Sequence, residues 1–142
     1  MQQKLFILFF LTICSLPFAA QSQQNVATDT SIMVVAEPDT RAEFRGGVQK
    51  WGAFLEKELD RNLLIRQNAP TGNYRVIASF IVDKDGTVKN IVIEDAQGKD
   101  YGTDKEMIRI LKLSSKKWVP ATLNGQPVAY RHRQSLTFQH SF

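Results

Sequence analysis

The chain has 142 residues, 43% of them hydrophobic and 23% charged. That profile belongs to one folded domain and excludes both a disordered tail and two full-sized domains. Eighteen Lys and Arg against fourteen Asp and Glu give a formal charge of +4 with the two signs interleaved, whereas a nucleic-acid groove gathers its cations in a stripe, so nucleic acid is not an expected partner.

Residues 1–22 differ in kind from the rest of the chain. Met1–Lys4 carries one lysine, Leu5–Ile13 is apolar apart from Thr12, and Pro17 precedes the small residues Ala19, Ala20 and Ser22. This is the layout of a cleaved secretory signal peptide. Even the span Leu5–Ala20 falls short of the roughly 20 apolar residues that cross a bilayer. Retention as an inner-membrane anchor is the alternative. Cys14 is the only cysteine and lies in this leader behind bulky Ile13, so the exported chain is expected to have no thiol or disulfide.

Residues 23–42 read as a lead-in. Gln21–Thr30 is polar and aperiodic, and Ser31–Ala36 has the composition of a short strand ended by Glu37-Pro38-Asp39. After Gly46-Gly47, the residues Val48, Trp51, Leu55, Leu59 and Leu63 recur at three- and four-residue steps, with Phe54 alongside. That spacing predicts an amphipathic helix with one buried stripe. Asn68–Gly72 is a loop. Tyr74, Val76, Ala78, Phe80 and Val82 then alternate with Arg75, Ile77, Ser79 and Ile81, and the turn Asp83-Lys84-Asp85-Gly86 joins them to the β-rich run Thr87–Asp95 as a hairpin. Thr103-Asp104-Lys105-Glu106 has capping-box spacing and opens a second helix with Met107, Ile108 and Leu111 on its apolar face. Trp118 and Pro120 end it, Leu123–Gln126 turns the chain, and Val128–Phe138 reads as a long last strand. The expected architecture is α+β, with two helices packed on one face of a small antiparallel sheet of about three strands.

Motifs for chemistry are sparse. Asp83, Asp85 and Glu94 take the first, third and last places of a calcium-loop window, but Gly86 is misplaced and Ile and Val fill later ligand positions, so a plain hairpin turn is expected. His132 and His140 would stand about 26 Å apart on one strand and cannot share a metal. Nucleophile-elbow, phosphate-loop and zinc-protease motifs are missing from the sequence. Trp51 and Trp118 are expected as core anchors. The expectation is a non-enzymatic protein with no cofactor and no metal.

Several stretches together resemble a known family. Glu43-Phe44-Arg45-Gly46-Gly47, Phe54-Leu55, the hairpin Phe80–Val88, the run Trp118–Val128 and the closing Gln134–Phe138 look like the C-terminal domain of TonB-type energy transducers, in the Bacteroidetes-type version with Glu-Phe-x-Gly-Gly and Trp-x-Pro-Ala-x-x-Asn-Gly. The resemblance covers about residues 43–139 and sets a domain at 43–142. It implies a periplasmic location and two helices on a three-stranded sheet. The final strand would be an edge that pairs with the TonB box, a short extended peptide of an outer-membrane transporter, and the family couples inner-membrane proton-motive force to transporter opening. The sequence departs from the family's pattern in showing no long Pro/Lys/Glu-rich spacer and no convincing permanent anchor, and in carrying Leu63-Leu64-Ile65 and Asn68-Ala69-Pro70 where Tyr-Pro is common. A pull needs a tether at both ends, so the expectation keeps the recognition module; a membrane-tethered transducer is expected only if the leader is retained.

The expected binding edge comprises Val128, Tyr130, Arg131, His132, Arg133, Gln134, Ser135 and Thr137. An open strand edge offers unpaired N–H and C=O groups to an extended peptide. Charge in mid-strand is expected first as the usual guard against uncontrolled pairing, with selection of an acidic peptide as the second reading. By parity, Arg131, Arg133 and Ser135 share one face while Tyr130, Leu136 and Phe138 turn to the core, and His132 and Gln134 fall on that inward parity. The expected partner is a transporter segment or another envelope protein, with an edge-to-edge homodimer as the rival.

Overall fold

The computed structural model describes residues 32–141. The leader expected at 1–22 lies outside the described residues. Among the described residues no helix is long and apolar enough to cross a membrane.

The alternating segments build the sheet. β3 (Gly72–Val82) runs antiparallel to β4 (Val88–Ala96), and on its other side antiparallel to β7 (Gln126–His140), in unbroken register from Gly72 opposite His140 to Val82 opposite Tyr130. The Asp83–Gly86 turn closes the β3–β4 hairpin, with the Asp83 amide donating to Thr87 O and the Gly86 amide to Asp83 O, both at 2.9 Å. Gly86 has φ +79°, and a Cβ there would stand 2.4 Å from the Trp118 carbonyl oxygen. Only glycine meets both demands.

Three short strands enlarge this sheet or flank it. β6 (Ala121–Leu123) folds back on the start of β7 through Asn124-Gly125, both at positive φ, the geometry a tight hairpin needs. β1 (Val34–Val35) lies parallel to β7 at Ala129–Tyr130. β5 (Trp118–Val119) pairs with β2 (Glu43–Phe44) as a separate ribbon. The main sheet therefore has five strands in the order β1-β7-β3-β4, with β6 on β7, and one of its pairings is parallel. This enlarges the expected sheet of about three antiparallel strands while keeping the α+β class. Strands of two or three residues carry no readable periodicity, which is why they escape a sequence reading.

Three helices contribute to the core on one face: α1 (Gly47–Glu58), α2 (Leu63–Arg66) and α3 (Thr103–Leu113). The long stripe expected from Val48 to Leu63 is thus split. Leu59 is extended (φ −71°, ψ 133°), and the Asp60 carboxylate accepts the Asn62 amide at 3.1 Å and ion-pairs with Arg66, a side-chain turn that ends one helix and starts the next. Val48, expected in the buried stripe, is 82% exposed in the first turn of α1, and burial on this helix starts one turn later at Trp51.

The capping box also fails to form. Gly102, at φ 82°, occupies the N-cap of α3 with no side-chain cap. The Thr103 hydroxyl donates instead to Gln97 O at 2.8 Å, while Glu106 accepts the Asp60 amide at 2.9 Å and is gripped by Arg109 Nε and Nη2 at 2.7 and 2.6 Å. Both residues serve tertiary links rather than the helix end. Trp118 and Trp51 are buried, as core anchors should be. Trp118 meets the rings of Phe44, Trp51 and Phe80 at 5.7, 5.7 and 5.1 Å, and its Nε1 donates to Ser114 Oγ at 3.0 Å.

Candidate functional site: the outer edge of the last strand

Tyr130 is paired on both sides, with Val82 of β3 and Val35 of β1, and Val128 is paired with Ala121 of β6. Val128 and Tyr130 were expected in the open edge and do not belong to it. The Asn124-Gly125 hairpin and the N-terminal lead-in cover this end of β7. From Arg131 to His140 the strand pairs with β3 on one side, and no strand among the described residues lies on the other. Arg131, His132, Arg133, Gln134, Ser135 and Thr137 all fall on this open stretch.

Its two faces differ. Arg131, Arg133, Ser135 and Thr137 are exposed, as alternation requires. Arg133 Nε reaches Glu94 Oε2 on β4 at 2.6 Å, and Arg75 Nε donates to Ser135 Oγ at 3.0 Å. The hydrogen bond from Arg133 is the main cause holding the Glu94 carboxyl below its ordinary range. On the helix face, Phe138 is buried, and His132, Gln134 and Leu136 are half-buried. The His132 ring lies 4.9 Å from Trp118 and 5.4 Å from Phe80. Burial pushes its pKa below 6.5, so the imidazole is mainly neutral at pH 7. His132 therefore shares the inward face because it is an aromatic neighbour of the core.

Two hollows open beside this edge, and their helical walls were not among the expected site residues. One, of about 270 Å³, is lined by Val48, Trp51, His132 and Gln134 among others. The second, of about 410 Å³, includes Leu55, Leu59, Leu136 and Phe138 in its lining. The available signal was the helical stripe itself, which extends one turn beyond the core at Val48. Among the described residues no group of three His, Cys, Asp or Glu could hold a metal ion. Asp83 and Asp85 spend their carboxylates on Lys84, Lys89 and Thr87, and His140 Nδ1 lies 2.9 Å from Ala69 O.

No curated protein matches the chain. Residues 72–139 match the family model of the Gram-negative bacterial TonB protein C-terminal. The match begins at the first residue of β3 and ends one residue short of the end of β7, leaving β1, β2, α1 and α2 outside it. The segment that carries the β3–β4 hairpin, α3 and nearly all of the open edge is thus similar to the TonB C-terminal family.

Proposed function

We propose that residues 43–142 form a periplasmic, non-enzymatic recognition module, exported by the leader at 1–22, that binds an extended segment of an outer-membrane transporter or another envelope protein by strand pairing along Arg131–His140. The observation that carries this reading is the unpaired outer side of a 15-residue strand otherwise anchored in the sheet centre. Backbone groups there are directed outward with no strand among the described residues to meet them, which is the physical requirement for β-augmentation. Support for the periplasm comes from the composition of the leader and from the family match.

The test places a photo-crosslinker at Ser135, on the exposed face, and compares Arg133→Ala with proline at Arg133 and, separately, at Gln134. Amides alternate along a strand, so one of the two prolines removes an outward N–H and the other a bond of the β3 ladder. The expected result is a crosslink to an outer-membrane transporter that survives Arg133→Ala and is lost in the folded proline variant. A crosslink only to a second copy of the chain would establish the homodimer instead. Undiminished capture by both proline variants, each shown to be folded, would end the edge-pairing reading.

A further inference from the structure

The two hollows lie on the same side of the open edge and succeed one another along it. The first sits beside His132 and Gln134 under Val48 and Trp51, and the second beside Leu136–Gln139 under Leu55 and Leu59. A strand laid along β7 carries its side chains in step with those of β7. Residues opposite His132, Gln134, Leu136 and Phe138 would face the helices, and those between them would face the side of Arg131 and Arg133. Side chains on one face of a strand recur at about 6.8 Å, so three apolar residues at alternate positions span roughly 14 Å and pass from the first hollow into the second. Val48, one helical turn before Trp51, is the most exposed large apolar residue of α1, and a strand in this place would cover it. The opposite face has an excess of positive charge. Arg75, Arg131 and Arg133 stand there, and Glu94 is taken by Arg133. No salt bridge involves Arg131 or Arg75 among the described residues.

We propose that the β7 edge and the two hollows are one composite site, selective for an extended segment of alternating apolar and acidic residues. The apolar side chains enter the hollows against Val48–Trp51 and Leu55–Leu59, and the acidic ones lie over Arg131 and Arg133. The proposal rests on the strand-pairing reading and adds the sequence that the edge prefers.

The experiment uses the full chain and three synthetic peptides: Val-Glu-Val-Glu-Val-Glu-Val, its isomer Val-Val-Val-Val-Glu-Glu-Glu, and Ser-Glu-Ser-Glu-Ser-Glu-Ser. The alternating Val/Glu peptide is expected to bind about tenfold or more tightly than the other two, since burying one valine is worth about 1.5 kcal/mol or more. Val48→Asp should weaken that peptide about tenfold and leave the Ser/Glu peptide unchanged. Because Val48 is 82% exposed, the variant should melt as the parent does. Arg131→Glu should weaken both alternating peptides. Equal affinity for the alternating peptide and its block isomer would overturn the proposal, as would absence of binding by all three. Binding that is lost on blocking an outward amide by proline but is indifferent to Val48→Asp would keep strand pairing and reject the hollows. Failure of the underlying reading shows separately, in the Ser135 crosslink.

Discussion

Trp118 joins the core to the candidate edge, and its truncation has a calculable effect. The side chain is 2% exposed and packs among Phe44, Trp51 and the cross-strand pair Phe80–His132. Trp118→Ala removes the indole and leaves a cavity between α1 and the sheet, for a cost of about 3–5 kcal/mol. Trp118→Phe keeps most of the ring contact and deletes the Nε1–Ser114 bond. Ser114 Oγ still donates to Leu111 O at 2.7 Å, so no buried hydroxyl is orphaned and the cost should be about 1–2 kcal/mol. Domains of this kind hold about 5–15 kcal/mol in total, so the alanine variant uses up about a fifth or more of it. Urea unfolding followed by the fluorescence of Trp51 measures both. An alanine variant within about 1 kcal/mol of the parent, or a phenylalanine variant as unstable as the alanine one, would show that the aromatic cluster does not carry the fold.

His132 sets a pH dependence. Burial lowers its pKa below 6.5, Gln134 and the Ala42 backbone oppose this, and Arg41 adds to it. The unfolded chain therefore binds the proton more readily, and stability should fall as the pH drops below about 6.5, above the range where carboxylates titrate. His132→Asn should flatten that part of a curve of urea midpoint against pH, and an unchanged slope would refute the assignment. Glu106→Ala should cost about 2–3 kcal/mol by stranding Arg109 and the Asp60 amide, allowing for the partial exposure of Arg109, whereas Glu106→Gln, which keeps an acceptor for that amide, should cost less by thermal denaturation. Gly86→Ala should cost about 2–4 kcal/mol from its left-handed backbone and the 2.4 Å approach to Trp118 O, measured in the same way.

What was legible in the sequence was local. The Asp83–Gly86 hairpin announces itself because its turn residues make their own bonds, Lys84 N–H to Asp83 Oδ1 and Thr87 N–H to Asp85 Oδ1. The parity of β7 comes from strict alternation, and Leu136 and Phe138 suffice to set it even though His132 and Gln134 blur the pattern. What was illegible was decided by tertiary contact. The break at Leu59 continues a valid helical stripe, and only the Asp60 turn interrupts it. The residues of the expected capping box have the right spacing but find better partners in Gln97 O and Arg109. The pairing of Val34–Val35 with Ala129–Tyr130 joins segments 95 residues apart and leaves no periodic trace.

The arrangement also bears on whether charge on the last strand repels or selects. A long open edge invites indiscriminate pairing, and proteins blunt such edges with covering segments or charge. Here the first part of β7 is already covered by β6 and β1, and among the described residues blunting by cover stops at Tyr130. Beyond it Arg131 and Arg133 point to the exposed face of the sheet, away from the hydrogen-bonding direction, and obstruct no backbone group. Two copies meeting edge to edge would bring these arginines close together, and like charges directly opposite destabilise a strand pair. An acidic strand would meet the reverse field. The same two side chains thus disfavour the homodimer and favour an acidic heterologous segment. Arg131→Glu together with Arg133→Glu should reverse that preference: self-association in analytical ultracentrifugation should remain weak because the repulsion persists with opposite sign, and Val-Lys-Val-Lys-Val-Lys-Val should replace its glutamate counterpart as the better ligand. A double variant that still prefers the glutamate peptide would show that the arginines do not select the partner.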